Sequence, residues 1–432
     1  MKYSIYNNLI PLPQKRFLLY NAYHNMYIII KQELHNVMFS IQPENLKLSY
    51  PKFYDQLIES GCLIEEGEDE NSLLLNRINQ VDTKDNEFHL IINPTLNCNF
   101  RCWYCYEEHV VQSKMNQTTL EKIKKFIENT IEHNELNSFH LSFFGGEPLL
   151  HYKDVVSSLL EYLKKTCESH KISYQASFTS NGYLITEQMV NDMKKYHVTS
   201  LQITLDGSQE FHNQVRYAYK GCDSYTKIIA NVKMLLHAGI SVVLRINYTQ
   251  ANIASAKLIA NSLKEIPENE KCFLSIDFQH VWQDKENKST ILSDILEECD
   301  ETFNSLHLNV ITKLMDQVWN SCYADKQNQA LINYNGDVYK CTARDFNSEN
   351  RLGILTDNGQ IEWDMNKLNK RSNLRLSKKI CQECRIAPLC GGTCTQRILD
   401  SENSTACLRG LTELEKDQIV LERFYYTIIQ QA

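Results

Sequence analysis

The 432-residue chain is 43% hydrophobic with a formal net charge of −8, which allows a sizeable core and offers no basic field for nucleic acid. The length exceeds one typical domain, so two or three are expected. No uninterrupted apolar run reaches membrane-spanning length and the opening MKYSIYNNLIPLPQKR lacks the order of a signal peptide, so the expectation is a cytoplasmic protein with neither membrane nor nucleic-acid partners.

In chain order, residues 1–87 read as a small α/β (winged-helix-like) domain. LLYNAYHNMYIIIKQEL has apolar and aromatic positions near helical spacing. YPKFYDQLIESGCLI reads as a second helix ending at Gly61 and then a short strand, and EEGEDE as a solvated acidic turn. The plain reading is an accessory packing domain. The sharper one is a leader-peptide module that captures a strand by edge pairing.

Over residues 88–283, strand-like runs (FHLIIN, SFHLSFF, ISYQASFT, SLQITL, SVVLRIN, FLSIDFQ) alternate with amphipathic helix-like runs. Asn116 or Thr118 suits a helix start, and Gly239 a helix end. Six alternations predict a parallel sheet with right-handed crossovers, in an open partial (β/α)6 TIM-like barrel. Such folds place chemistry at the carboxyl ends of their strands, and the special residues fall there. Strand one runs into NPTLNCNFRCWYCYEE, strand two into Gly145-Gly146-Glu147-Pro148, and strand three into Thr179-Ser180-Asn181-Gly182. Strand four runs into Asp206-Gly207 with Arg216 beyond, strand five carries Arg245 and Asn247, and strand six ends near Gln279 and His280. Residues 284–320 read as a helical connection, 321–410 as a cysteine-rich domain and 411–432 as a closing helix.

Fifteen cysteines in a reducing compartment point to metal or redox chemistry rather than to disulfides. Cys98, Cys102 and Cys105 form C-x3-C-x2-C. Three such thiolates can hold three irons of a cubane cluster and leave the fourth iron open for chemistry; zinc completed by His109 is the alternative. The second group is Cys322-x13-Gly336-x4-Cys341, then Cys381-x2-Cys384-x5-Cys390-x3-Cys394 and Cys407 after a gap, with two zinc sites as its alternative. Cys62, Cys167, Cys222, Cys272 and Cys299 are scattered and read as buried small hydrophobes.

With Tyr104 immediately before Cys105 and Gly-Gly-Glu-Pro one strand later, residues 88–281 resemble the radical SAM superfamily. The resemblance implies that Cys98, Cys102 and Cys105 bind a [4Fe-4S] cluster whose open iron chelates S-adenosylmethionine. One electron then breaks the sulfonium bond, and a deoxyadenosyl radical takes a hydrogen atom from the substrate. It also implies cofactor contacts at Tyr104, at the backbone of Gly145, Gly146 and Glu147, and at Ser177 and Asn181 toward the ribose. Arg245 would meet the methionine carboxylate, with an ordinary barrel salt bridge as its alternative. Asp206, in LDG, faces substrate or braces a loop.

Residues 321–410 resemble the SPASM extension of these enzymes, which implies two auxiliary clusters and three [4Fe-4S] clusters in all. Cys381, Cys384, Cys390 and Cys407 would complete one. Cys322, Cys341 and Cys394 would hold the other, with a substrate thiolate, Asp316, water or the distant Cys299 as candidates for its fourth position.

Radical SAM proteins with this extension mostly modify peptides or proteins, which implies a precursor-peptide substrate and an electron donor such as flavodoxin or ferredoxin. The favoured reading is an oxidoreductase that matures a ribosomally made peptide through a thioether or other cross-link. The runner-up is an anaerobic sulfatase-maturing enzyme, in which an aspartate base follows the second cysteine of the extension. Here Thr342 follows Cys341 and Asp345 lies near, so the catalytic candidates are Asp206, Thr342 and Asp345. A multi-cluster electron carrier or zinc scaffold is the non-enzyme alternative, against which an open cluster beside Gly-Gly-Glu-Pro argues. Replacing Cys98, Cys102 and Cys105 by Ala is expected to abolish reductive S-adenosylmethionine cleavage, measured anaerobically as 5′-deoxyadenosine. Retained cleavage removes their assignment.

Overall fold

The computed structural model describes residues 1–83, 86–284, 290–401 and 404–431. It divides into two compact units. One combines Met1–Asp85, Lys313–Gln327 and Met365–Ala432, and the other Asn86–Thr312 and Asn328–Asp364. The cysteine-rich region expected at 321–410 is therefore shared between the two.

In the first unit, β1 (Lys2–Tyr3), β2 (Asn7–Leu12), β3 (Arg16–Asn21), β4 (Met26–Lys31) and β5 (Leu63–Ile64) form two antiparallel sheets, β1-β5 and β2-β3-β4. Most of the segment expected as the first helix is instead the β3–β4 hairpin, which runs into a helix at Gln32–Ser40. Local turn chemistry decides this. Asn21 Oδ1 accepts from the backbone N–H groups of Tyr23 (3.1 Å) and His24 (2.9 Å), and Asn25 adopts φ +55°. The flanking residues then pair as Tyr20↔Tyr27 and Leu18↔Ile29, where aromatic and branched side chains suit a pleated surface. The second expected helix is split into Pro43–Ser49 and Pro51–Glu59, and the chain turns at Gly61, φ +68°, into β5. The acidic stretch is a turn, whose last residue, Glu70, starts the helix Glu70–Thr83.

Three chain segments share the core of this unit. Tyr6, Leu18 and Tyr20 pack in one cluster with Val318, Leu376, Leu389 and Phe424. A buried ion network joins the same segments. Asp325 receives Arg371 Nη2 at 2.9 Å and Arg375 Nη1 at 3.3 Å, and Arg375 also reaches Asp82 at 3.5 Å.

In the second unit the six expected strands are all present: β6 (Glu87–Ile92), β7 (Ser138–Phe143), β8 (Ser173–Ser180), β9 (Val198–Leu205), β10 (Ser241–Tyr248) and β11 (Leu274–His280). They lie side by side, parallel and in sequence order. Apolar residues on alternate positions, such as Leu90, Ile92, Leu141 and Phe143, pack in one core with Ile123 and Ile127 of the helix Gln117–His133. Asn116 caps that helix by accepting from Thr119 N at 2.8 Å, a cap worth about 1 kcal/mol. The helix Ser224–His237 is followed by Gly239 at φ +74°. Between β10 and β11 the chain forms three short helices, Ile253–Ala256, Ile259–Leu263 and Glu268–Lys271.

Two additions extend this sheet. β12 (Asn309–Val310), which follows a helix at Thr290–Asn304, pairs parallel with β11. Residues 285–289 of the expected connection lie outside the described residues. On the other edge, β13 (Gln329–Ile332) pairs parallel with β6, and β14 (Asp337–Tyr339), β15 (Gly353–Leu355) and β16 (Ile361–Trp363) continue antiparallel. The result is an open mixed α/β sheet, consistent with a partial barrel. Among the scattered cysteines, Cys62, Cys167, Cys222 and Cys299 are buried as expected, whereas Cys272 is exposed.

Replacing Asp325 with Ala leaves two buried guanidinium groups without their shared counter-charge. The expected cost is about 3–5 kcal/mol, read as a lower urea midpoint of unfolding.

Candidate active site

The loop after β6 is pinned before it reaches its thiols. Leu96 and Phe100 are buried, Thr95 Oγ1 donates to the Ser113 carbonyl at 2.6 Å, and Leu96 N donates to Ser113 Oγ at 2.9 Å. The loop after β7 nests directly against it. A Cβ on Gly146 would lie 2.1 Å from the Asn97 carbonyl oxygen, and one on Gly145, φ +81°, would lie 2.7 Å from that of Thr95. Glycine is thus required for the approach of two backbones.

Glu147 locks this arrangement to the end of β8. It is fully buried and accepts from Leu149 N (3.0 Å), Ser180 Oγ (2.9 Å) and Asn181 N (2.8 Å). Burial pushes its pKa up to about 6, against the pull of these donors.

Cys98, Cys102 and Cys105 border one cavity together with Glu107, His109, Gly145, Gly146, Asn181 and Arg216. Each sulfur has a different neighbour. Asn181 Nδ2 lies 3.8 Å from Cys98 Sγ, Arg216 Nη1 3.5 Å from Cys102 Sγ, and His109 Nε2 3.5 Å from Cys105 Sγ. Burial pushes the Cys98 thiol up to about 12 and that of Cys105 to about 11, and raises that of Cys102. Such thiols stay protonated until a metal displaces the proton. Glu107 adds a carboxylate whose Oε2 is buried without a hydrogen-bond partner, and burial pushes its pKa up to about 8. A cavity bordered by three thiols and an unsatisfied carboxylate oxygen fits a metal cluster with a cationic ligand. Among the described residues, no three His, Cys, Asp or Glu side chains converge on a single point as ligands of one ion would.

Residues 92–249 match the family model described as the radical SAM superfamily. The chain carries a radical SAM domain. This family binds a [4Fe-4S] cluster and S-adenosylmethionine. The radical SAM cyclopropyl synthase TigE of Paramaledivibacter caminithermalis is 25% identical over 262 residues, 54% of each chain, so the match spans about half the length of that relative. The serine-type anaerobic sulfatase-maturating enzyme of Bacteroides thetaiotaomicron is 23% identical over 335 residues, 69% of this chain and 80% of the relative. In fold, the chain is similar to anSMEcpe with bound AdoMet and Cp18Cys peptide (TM-score 0.58, 18% identity, 80% of this chain and 98% of that one). It is also similar to Streptococcus suis SuiB bound to precursor peptide SuiA (TM-score 0.52, 14% identity, 92% and 96%).

The structure distributes the remaining expected residues around the radical SAM domain unevenly. Tyr104 does not border the cavity; its hydroxyl donates to both Asp206 oxygens, at 2.8 and 2.6 Å. Asp206 is 1% exposed, so of the two roles left open for it the geometry supports bracing. Burial raises its pKa to about 6 despite Arg216 nearby. Ser177 Oγ bonds His140 Nε2 (2.8 Å) and Ser142 Oγ (2.9 Å) inside the sheet, away from the cavity wall. Arg245 Nε donates to Asn247 Oδ1 at 2.9 Å rather than bordering the cavity. Asp345 is close enough to Glu107 to help raise its pKa, and Thr342 is partly buried on the same loop.

In the first unit, Cys381, Cys384, Cys390 and Cys407 border a second cavity. Burial pushes the Cys381 thiol up to about 11 and raises that of Cys390. Cys322 and Cys394 belong to the same unit and Cys341 to the other. Cys299 is fully buried in the core of the second unit. Among the described residues, no helix is long and apolar enough to cross a membrane.

Sequence reasoning gave no role to Glu107, and it noted Arg216 without one. The available signal was His212 and Arg216 four residues apart after Asp206-Gly207, which put one in the helix Gln209–Val215 and the other at its end. Replacing Glu147 by Ala leaves three buried donors unpaired. The expected cost is about 3 kcal/mol or more, read as a lower urea midpoint together with weaker S-adenosylmethionine binding.

Proposed function

We propose that the protein is a radical SAM peptide maturase, which removes hydrogen from a ribosomally made peptide and forms a thioether or other cross-link. The observation that carries this reading is the first unit. It holds both a cavity bordered by four cysteines and an antiparallel sheet with β4 as an outer strand, which supports a second metal centre and a strand edge for a peptide in one unit. The fold likeness to SuiB over 92% of the chain, against 80% for anSMEcpe, agrees with it.

When bound, the cluster and S-adenosylmethionine supply reductive sulfonium cleavage and hydrogen-atom abstraction. The chain's own residues do the rest. Cys98, Cys102 and Cys105 hold the iron. The nested Gly145–Gly146 turn shapes one wall of the cavity, and Glu147 keeps that wall rigid. The partnerless Glu107 oxygen would offer an acceptor to a cationic group of the cofactor. Cys381, Cys384, Cys390 and Cys407 would hold one auxiliary cluster, and Cys322 and Cys394, of the same unit, would contribute to a second.

A sulfatase-maturating activity is the second reading, favoured by 23% identity over 69% of the chain to such an enzyme. Thr342 in place of an aspartate directly after Cys341 speaks against it.

Anaerobic reconstitution is expected to give about twelve irons per chain, the count for three cubane clusters. With reductant and a precursor peptide, each mole of modified peptide should lose two hydrogens. Formylglycine on a sulfatase-type peptide, with no change to the precursor, overturns the reading. Excising residues 1–85 is a poor test of peptide capture, because Tyr6, Leu18 and Tyr20 belong to the shared core. A point change in the edge strand is cleaner. Ile29, half exposed on β4, changed to Asp is expected to weaken peptide affinity about tenfold by fluorescence anisotropy, about 1.4 kcal/mol. Unchanged affinity assigns the sheet to packing.

A further inference from the structure

We propose that Arg216 hydrogen-bonds the Cys102 sulfur when that sulfur holds iron and so sets the reduction potential of the strand-end cluster, with Tyr104 and Asp206 aiming it. This rests on Cys98, Cys102 and Cys105 being the cluster ligands.

The geometry is specific. Arg216 is the residue at which the helix Gln209–Val215 ends, and its backbone is held at both sides: its N–H donates to the His212 carbonyl at 2.8 Å and its carbonyl accepts from Ser224 Oγ. Its side chain is 8% exposed. Nη1 lies 3.5 Å from Cys102 Sγ and 2.8 Å from Tyr104 Oη. The Tyr104 hydroxyl accepts from Arg216 and donates onward to Asp206, whose own carboxylate lies 3.9 Å from Arg216 Nε. Asp206 is fixed in turn, because its backbone N–H donates to His212 Nδ1 at 3.2 Å. The guanidinium thus has Asp206 as its ion partner, at the edge of ion-pair distance, and its Nε has no hydrogen-bond partner. It is left with charge to share with a thiolate.

The three sulfurs are not equivalent in this respect. Cys98 meets the Asn181 amide and Cys105 the His109 imidazole, whereas Cys102 is the sulfur within hydrogen-bond reach of the Arg216 guanidinium. Hydrogen bonds to cluster sulfurs and nearby charge are among the determinants of iron–sulfur potentials. A cation stabilises the more negative, reduced cluster and raises its potential, the more so in a water-poor site. The competing account is that Arg216 only pairs with Asp206 to hold the loop, in which case the potential is indifferent to its charge.

The test is an EPR-monitored dithionite titration of the reconstituted full-length protein, following the signal that S-adenosylmethionine perturbs. Arg216→Gln is expected to lower the reduced fraction about tenfold at fixed ambient potential, ~59 mV for a one-electron couple. Arg216→Lys, which keeps the charge, should recover part of the shift. An unshifted midpoint in Arg216→Gln with full iron content overturns the proposal. If Arg216→Gln does not hold iron, Tyr104→Phe decides: it keeps the ring and frees Arg216 from its hydroxyl, and a lowered midpoint supports the proposal while an unchanged one overturns it. Failure of the underlying assignment looks different, because Cys102→Ala would then retain the perturbed signal.

Discussion

Three strand-end loops of the radical SAM domain depend on one buried carboxylate. Glu147 binds the turn that follows it and the last residues of β8, while the two glycines before it lie against the loop that carries the thiols. A carboxylate out of water is costly unless its oxygens are matched, and here three donors match them. The same three bonds hold the spacing of the cavity walls. The Gly-Gly-Glu sequence is thus a device for nesting backbones before it is a surface for any ligand.

The electrostatics of the cavity follow from that enclosure. Burial makes ionised thiols unfavourable, so the thiols remain neutral until metal supplies the compensating charge. Arg216 borders the cavity on the Cys102 side, held from behind by Tyr104 and Asp206, and Glu107 supplies an acidic group elsewhere on the cavity.

The barrel was legible because each strand and helix agrees with its own periodicity, and because chemistry-bearing residues recur at strand ends. All six strands lie where alternation placed them. The β3–β4 hairpin was not legible, because its apolar residues also satisfy helical spacing and the decision lies with Asn21 and Asn25 in the turn. The split of the cysteine-rich region was hidden for another reason. Residues 329–332 pair with β6, more than two hundred residues earlier, and no local pattern encodes a partner at that distance. Among the expected site residues, spacing picked out the thiols of Cys98, Cys102 and Cys105 and the glycines Gly145 and Gly146, which border one cavity. It could not separate residues that border the cavity, such as Asn181, from those that brace it, such as Tyr104 and Asp206, since both kinds occupy the same strand ends.

The first unit is closed by segments from both ends of the chain. During synthesis its N-terminal sheet emerges first, yet Val318, Leu376, Leu389 and Phe424, which cover Tyr6, Leu18 and Tyr20, emerge only after most of the barrel. The sheet must wait on the ribosome with apolar surface uncovered, while most of the strands of the second unit are already available to pair. Vectorial production therefore favours barrel first and four-cysteine unit last. The cavity bordered by Cys381, Cys384, Cys390 and Cys407 is then completed on a chain whose radical SAM domain already stands.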